Sequence, residues 1–119
     1  MTSSTVRKMA FAIMEWEGYR KGSVSYNNNN PGNVKHAGQP GAIGQDSQGH
    51  AKFTDFQHGW DALINHLTMM GDGRSQVYNA EMTLFDVFAK YAEANAKPYA
   101  EFIAKRLGVM PITRLKHLP

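Results

Sequence analysis

From Ser4 to about Glu17 the apolar residues Val6, Met9, Ala10, Ile13 and Met14 recur at three- and four-residue spacing, which predicts a helix with one buried face. Ser3 or Ser4 stands where such a helix needs an N-cap. Residues 18–33 lose the period. Gly18, Gly22, four successive asparagines and Pro31-Gly32 predict a long loop, and loops of that length inside small domains are often functional. Between Val34 and Phe56 the pattern breaks into the short β-compatible pieces NVKH, GAIGQ and HAKFTDF. Gly38-Gln39-Pro40-Gly41 and Asp46-Ser47-Gln48-Gly49 divide them, which predicts a hairpin or a three-stranded meander.

Helical spacing returns in HGWDALINHLTMM through Trp60, Leu63, Ile64, Leu67 and Met70, until Gly71-Asp72-Gly73 stops it. Thr83 is placed to cap a third helix over Leu84, Val87, Phe88 and Tyr91. Pro98 suits the first turn of a fourth over Phe102, Ile103 and Leu107, with Gly108 as its stop. The chain thus reads as one α+β domain over residues 1–119, mostly helical, with a small sheet inserted after the first helix.

Composition narrows this picture little. A chain of 119 residues holds one core, and 42% hydrophobic with 19% charged residues is a globular balance, not a disordered one. The net charge of +3 favours an anionic partner such as cell-wall polymer or nucleic acid without choosing between them. With no cysteine, disulfides and thiolate metal sites are excluded. No apolar stretch resembles a signal-peptide core or approaches the roughly 18 residues of a membrane span, so neither a secretory signal nor membrane insertion is expected.

One polar residue breaks the pattern of the first helix. At about 100° per residue, Glu17 falls on the stripe of Val6, Ala10 and Ile13, whereas Glu15 lies about 200° away and faces solvent. A carboxyl group at the edge of an apolar face and at the negative end of a helix is expected to favour its protonated form, as a general acid requires. Periodicity alone equally allows a frayed last turn with the side chain in water.

The order of motifs resembles a known family. Glu17-Gly18-Tyr19 ends a helix, a polar loop reaches Asn29-Asn30-Pro31-Gly32-Asn33, a Gly-rich segment closes on Gly49-His50-Ala51-Lys52-Phe53, and a helix follows near Gly59-Trp60-Asp61-Ala62-Leu63. Together these are similar to the lysozyme-like superfamily, in particular to small phage-associated domains related to lytic transglycosylases, goose-type lysozymes and glucosaminidases. The tail FAKYAEANAKPYAEFIAKRLGV fits the same pattern. Where several family members have Glu-Ser, this chain has Glu17-Gly18.

The resemblance implies a lysozyme-like domain that cleaves the β-1,4 bonds of peptidoglycan, with Glu17 as catalytic acid. Two routes stay open. Hydrolysis with two carboxylates needs a partner about 5–9.5 Å away, for which Asp46 is the first candidate and Asp55 and Asp61 are reserves; Asp46 also reads as an ordinary turn residue. The lytic transglycosylase route needs Glu17 alone, closing an anhydro ring with the sugar's own 6-hydroxyl. Asn30 and Asn33, flanking Pro31-Gly32, have amides suited to sugar hydroxyl and N-acetyl groups or to holding the loop. Tyr19, Tyr26, Tyr91 and Tyr99 are candidates to line a cleft; the resemblance singles out Tyr91, whose hydroxyl would need a partner such as Glu17.

The implied partners are peptidoglycan strands and, for a phage protein, virion components, with the wall reached through a holin or the virion itself. The five histidines show no HExxH or other compact ligand spacing, so no metal and no cofactor is expected. GQPGAIGQDSQG lacks a following Lys-Ser/Thr and opens no helix, which argues against a nucleotide. The competing reading is a virion or secretion-machinery component that keeps the scaffold for binding peptidoglycan or for assembly and does not cut. Nucleic-acid binding is the weakest reading, since the basic residues are scattered and no recognition helix is evident.

Overall fold

Helix α1 runs over Ser3–Trp16, and a single turn of helix, α2, over Val24–Asn27. Strands β1 (Ala42–Gln45) and β2 (Ala51–Phe53) follow, then α3 (Phe56–Asp72), α4 (Leu84–Tyr91) and α5 (Ala96–Leu107), with a 3₁₀ turn at Leu115–His117. This computed structural model describes residues 1–119. The α+β, mostly helical class expected from the pattern is what it contains. No helix is long and apolar enough to cross a membrane.

The helix ends depart from the expected positions where a side chain captures a backbone group. Thr2, not Ser3 or Ser4, caps α1: its Oγ1 accepts from the Thr5 N–H at 3.1 Å. α3 starts at Phe56, ahead of the Trp60 stripe, because the Asp55 carboxylate accepts from the His58 N–H at 2.9 Å. α2, inside a stretch expected to be loop, forms because Ser23 accepts from the Tyr26 N–H at 3.2 Å. Thr83 caps α4 as expected, in a reciprocal box with Asp86, and Gly108 ends α5 with φ 71°.

The chain groups into two compact units, residues 13–65 and residues 1–12 with 66–119. In the second of these, Val6, Met9 and Ala10 of α1 are buried, as are Leu67 and Met70 of α3 and Leu84, Val87 and Phe88 of α4. The buried face of α5 is Tyr99, Ala100, Ile103 and Ala104; Phe102 instead carries the Arg106 guanidinium 4.6 Å from its ring centre. Phe88 and Tyr99 stack with ring centres 4.5 Å apart. His66 sits against Tyr78 and Tyr91, and burial among these rings pulls its pKa below the ordinary value.

The unit of residues 13–65 is built differently. Its buried apolar residues, Ile13, Val34, Ala51, Phe53 and Leu63, are joined by buried Ser25, Asn28, Asn30 and His50. β1 and β2 pair antiparallel, Ala42 with Phe53 and Gln45 with Ala51, with an irregularity between Ala42 and Gly44. The third piece of the expected meander contributes one bridge, Lys35 with His50, because the loop before it is held by side chains and not by a strand ladder. Asn30 is 0% exposed; its Nδ2 donates to the carbonyls of Val34 and Ala51, each at 2.9 Å, and its Oδ1 accepts from the Val34 N–H at 3.0 Å.

Helix α3 meets this loop backbone to backbone at Gly59, which is buried. A Cβ at that position would stand 1.8 Å from the Asn29 carbonyl oxygen, so any side chain must push loop and helix apart. Gly59→Ala is therefore expected to destabilise the fold by on the order of 3 kcal/mol, despite alanine's better helix propensity. Urea denaturation checks this; a variant at least as stable as wild type would show that the contact is loose.

Candidate active site

Glu17 is the C-cap of α1. Its N–H donates to the Ile13 carbonyl at 2.8 Å, while Gly18 N–H reaches Glu15 O at 3.1 Å and Tyr19 N–H reaches Met14 O at 3.2 Å, the paired bonds of a Schellman ending. Gly18 supplies the left-handed residue that this ending needs, with φ 68°. The glycine after Glu17 thus has a local structural cause. Glu17 is half-buried and Glu15 is exposed, as the helical stripe implies.

The loop returns to Glu17 through Asn33. Asn33 Nδ2 donates to Glu17 Oε1 at 2.9 Å, and the Ser25 hydroxyl reaches the Glu17 backbone carbonyl at 3.4 Å. Asn33 has φ 48°, a left-handed conformation that asparagine tolerates better than most residues. Its Oδ1 is buried without a hydrogen-bond partner. An orphaned buried acceptor costs about 1–3 kcal/mol.

Aromatic rings continue from the same corner. Tyr19 lies 5.2 Å from Tyr26 and 5.4 Å from Phe56, and Phe56 lies 6.0 Å from Trp60, all between ring centres. Tyr26 is 42% and Phe56 39% exposed, so part of this row is open to solvent, where aromatic rings can pack against a sugar. Burial, and secondarily the neighbouring Tyr26, push the Tyr19 phenol above its ordinary pKa.

Asp46 has a different setting. Its Oδ2 accepts from Asn28 Nδ2 and His50 Nδ1 and its Oδ1 from the N–H groups of Gln48 and His50, all four at 2.9 Å. Desolvation opposes its ionisation, but the His50 side-chain and backbone bonds and those from Asn28 and Gln48 outweigh it and hold the carboxyl well below the usual range. An ionised acceptor bound to four donors on three residues ties the Asp46–His50 turn to the asparagine loop. Its oxygens are committed to that turn, and the turn reading of Asp46 describes its place better than a second catalytic carboxylate.

The reserve acids are also engaged. Asp55 caps α3 and pairs with His58 Nδ1 at 2.8 Å. Asp61 accepts from Gln57 Nε2 at 2.8 Å and borders a surface depression of about 350 Å³ with Gln39, Pro40, His58, Ala62 and Asn65. Asn30, read as either a sugar contact or a holder of the loop, is tied inside the loop by its three backbone bonds. Tyr91 lies among His66, Phe88 and Tyr99 in the unit of residues 1–12 and 66–119.

Within residues 13–65 the structure therefore brings together Glu17, Asn33 and Tyr19, adds Tyr26 and Phe56, and assigns Asn30 and Asp46 to holding the loop. The Asn28–Asp46–His50 cluster had no sequence signal beyond the turn residues themselves. No group of three or more His, Cys, Asp or Glu side chains is placed to hold a metal ion. Compared with protein-family models, curated proteins and solved structures, the chain matches none of them.

The depressed Asp46 carboxyl gives a pH signature. A folded-state pKa below the unfolded value of about 3.9 adds stability that is fully present above that value and is lost as pH falls through the folded one. Asp46→Asn is expected to lower the thermal midpoint clearly at pH 7, with the gap to wild type narrowing as the pH is taken below about 4. A pH-independent gap would mean that the charge of Asp46 is not what holds the turn.

Proposed function

We propose that the chain is a lysozyme-like peptidoglycan-cleaving enzyme, a muramidase or lytic transglycosylase, that uses Glu17 as its single general acid/base on a β-1,4 glycosidic bond. The observation that carries the reading is the carboxylate of half-buried Glu17, tethered at 2.9 Å by the Asn33 amide, beside a row of partly exposed rings. As an acid, Glu17 delivers its proton to the leaving glycosidic oxygen. As a carboxylate, it then takes a proton from the attacking hydroxyl. With the oxygens of Asp46 bound by four donors, the lone-acid route is preferred, in which the attacking group is the sugar's 6-hydroxyl and the product is an anhydro sugar. The net positive charge suits an anionic wall polymer.

A second reading, a wall-binding or assembly domain that does not cut, draws support from the same commitment of Asp46 and Asn30 to the fold. Glu17→Gln separates the two. Wild type is expected to clear a peptidoglycan suspension, and the variant to lose at least about 10²-fold in rate while still binding the wall. Mass spectrometry of the fragments should then show products one water lighter than hydrolysis gives. If wild type binds without clearing, the enzyme reading fails and the binding domain takes its place.

The ring row makes a separate prediction for binding. Tyr26→Ala should raise KM several-fold with kcat nearly unchanged, since Tyr26 would contact sugar away from the reacting bond. Loss of kcat alone in that variant would remove the rings from the substrate path.

A further inference from the structure

Asn30 and Asn33 stand three residues apart around Pro31-Gly32, and their side chains are used in opposite ways. Asn30 is tied at both ends of its amide to backbone, through Val34 and Ala51, which is the pattern of a residue that holds a loop. Asn33 has one side-chain hydrogen bond, and it goes to Glu17 Oε1; the other end of its amide is buried without a partner. The Asn33 backbone adopts φ 48°, and its N–H donates to the Asn30 carbonyl at 3.0 Å. The clamped residue thus sets the backbone from which the second amide reaches the carboxylate. An amide that leaves one end unsatisfied adds little to a loop already fixed by Asn30. What it does provide is a donor at a fixed place on the carboxyl oxygen.

We propose that Asn33 is a positioning residue for Glu17: its side-chain amide restrains the rotamer of the carboxyl group from the loop side and does not itself contact the substrate. The inference deepens the reading of Glu17 as the acid, and it rests on that reading for its kinetic consequence only. The bond fixes Oε1 relative to the loop, and with it the direction in which the carboxyl group is presented. Glu17 closes a helix end, where a side chain has more rotational freedom than in the helix body, so an external tether has something to restrain. Its main-chain side is fixed independently, by Ser25 Oγ on the Glu17 carbonyl and by the Ile13 bond. Loss of the amide therefore removes the loop-side tether of the carboxyl group without releasing the backbone.

Two variants test this. Asn33→Gly keeps the left-handed backbone and removes the amide; Asn33→Asp keeps the shape, accepts but cannot donate, and sets a like charge against Glu17. Both are expected to lower kcat by about 10²-fold, the cost of misplacing a catalytic group, with KM within about twofold, as for an interaction that matters only in the transition state. A raised KM with kcat retained would make Asn33 a substrate contact and overturn the proposal. So would Asn33→Asp at wild-type rate, or a loss of activity that tracks a lowered thermal midpoint.

A measurement that needs no activity separates this inference from the proposed function. In ¹⁵N-labelled protein, Glu17→Gln should move the Asn33 side-chain amide resonance upfield, because a charge-assisted bond becomes a neutral one. The Asn30 amide, bonded only to backbone, should stay in place. If wild type proves inactive, the enzyme reading falls while this shift still decides the tether. An Asn33 resonance that does not respond to Glu17→Gln overturns it.

Discussion

Three hydrogen bonds from one buried amide organise residues 13–65. Asn30 meets the carbonyls of Val34 and Ala51 and the Val34 N–H, so a loop too irregular to form a strand ladder still has its buried backbone groups satisfied. Because a loop buried in this way is expensive unless each polar group is paired, the neighbouring asparagines are used similarly. Asn29 donates to the Phe53 carbonyl at 3.0 Å and Asn28 to Asp46 at 2.9 Å. The sheet, with strands of four and three residues, is too small to stand alone. It persists as one wall of this polar network, with Ala51 and Phe53 buried beneath it.

The same network explains why Glu17 can be held from outside its own helix. Asp46, ionised and saturated with donors, anchors the far turn of the hairpin to the loop. Asn30 anchors the near side, and Gly59 allows α3 to press against the Asn29 carbonyl. With the loop immobilised at these points, the backbone of Asn33 is fixed in its left-handed conformation, and its amide has a defined direction. A rigid support behind the amide gives its contact with the Glu17 carboxylate a fixed geometry. The row from Tyr26 through Tyr19 to Phe56 and Trp60 passes through Tyr19, the residue that ends the α1 Schellman turn, so the same helix terminus places both the Glu17 side chain and that ring.

Much of the fold was legible along the chain because helices and their stops are local. The 3.6-residue stripes of α1, α3 and α4, the Thr83 capping box and the Gly108 stop depend on residues within a few positions of one another. The contrast between half-buried Glu17 and exposed Glu15 follows from the same periodicity. Local reasoning went astray where capping side chains competed, at Thr2, Ser23 and Asp55, and where a buried tyrosine replaced a more hydrophobic residue, as Tyr99 does on α5.

Tertiary structure alone decided what each polar residue of the loop is for. Four successive asparagines look equivalent in sequence, yet one clamps backbone, one binds Asp46, one binds the Phe53 carbonyl, and Asn27 is exposed. The Asn33 contact with Glu17 spans 16 residues and that of Asn28 with Asp46 spans 18. An amide carries both donors and an acceptor whatever its neighbours, so its sequence specifies a capacity to bond and not a partner. The partner is chosen when the chain closes and leaves one buried group within reach.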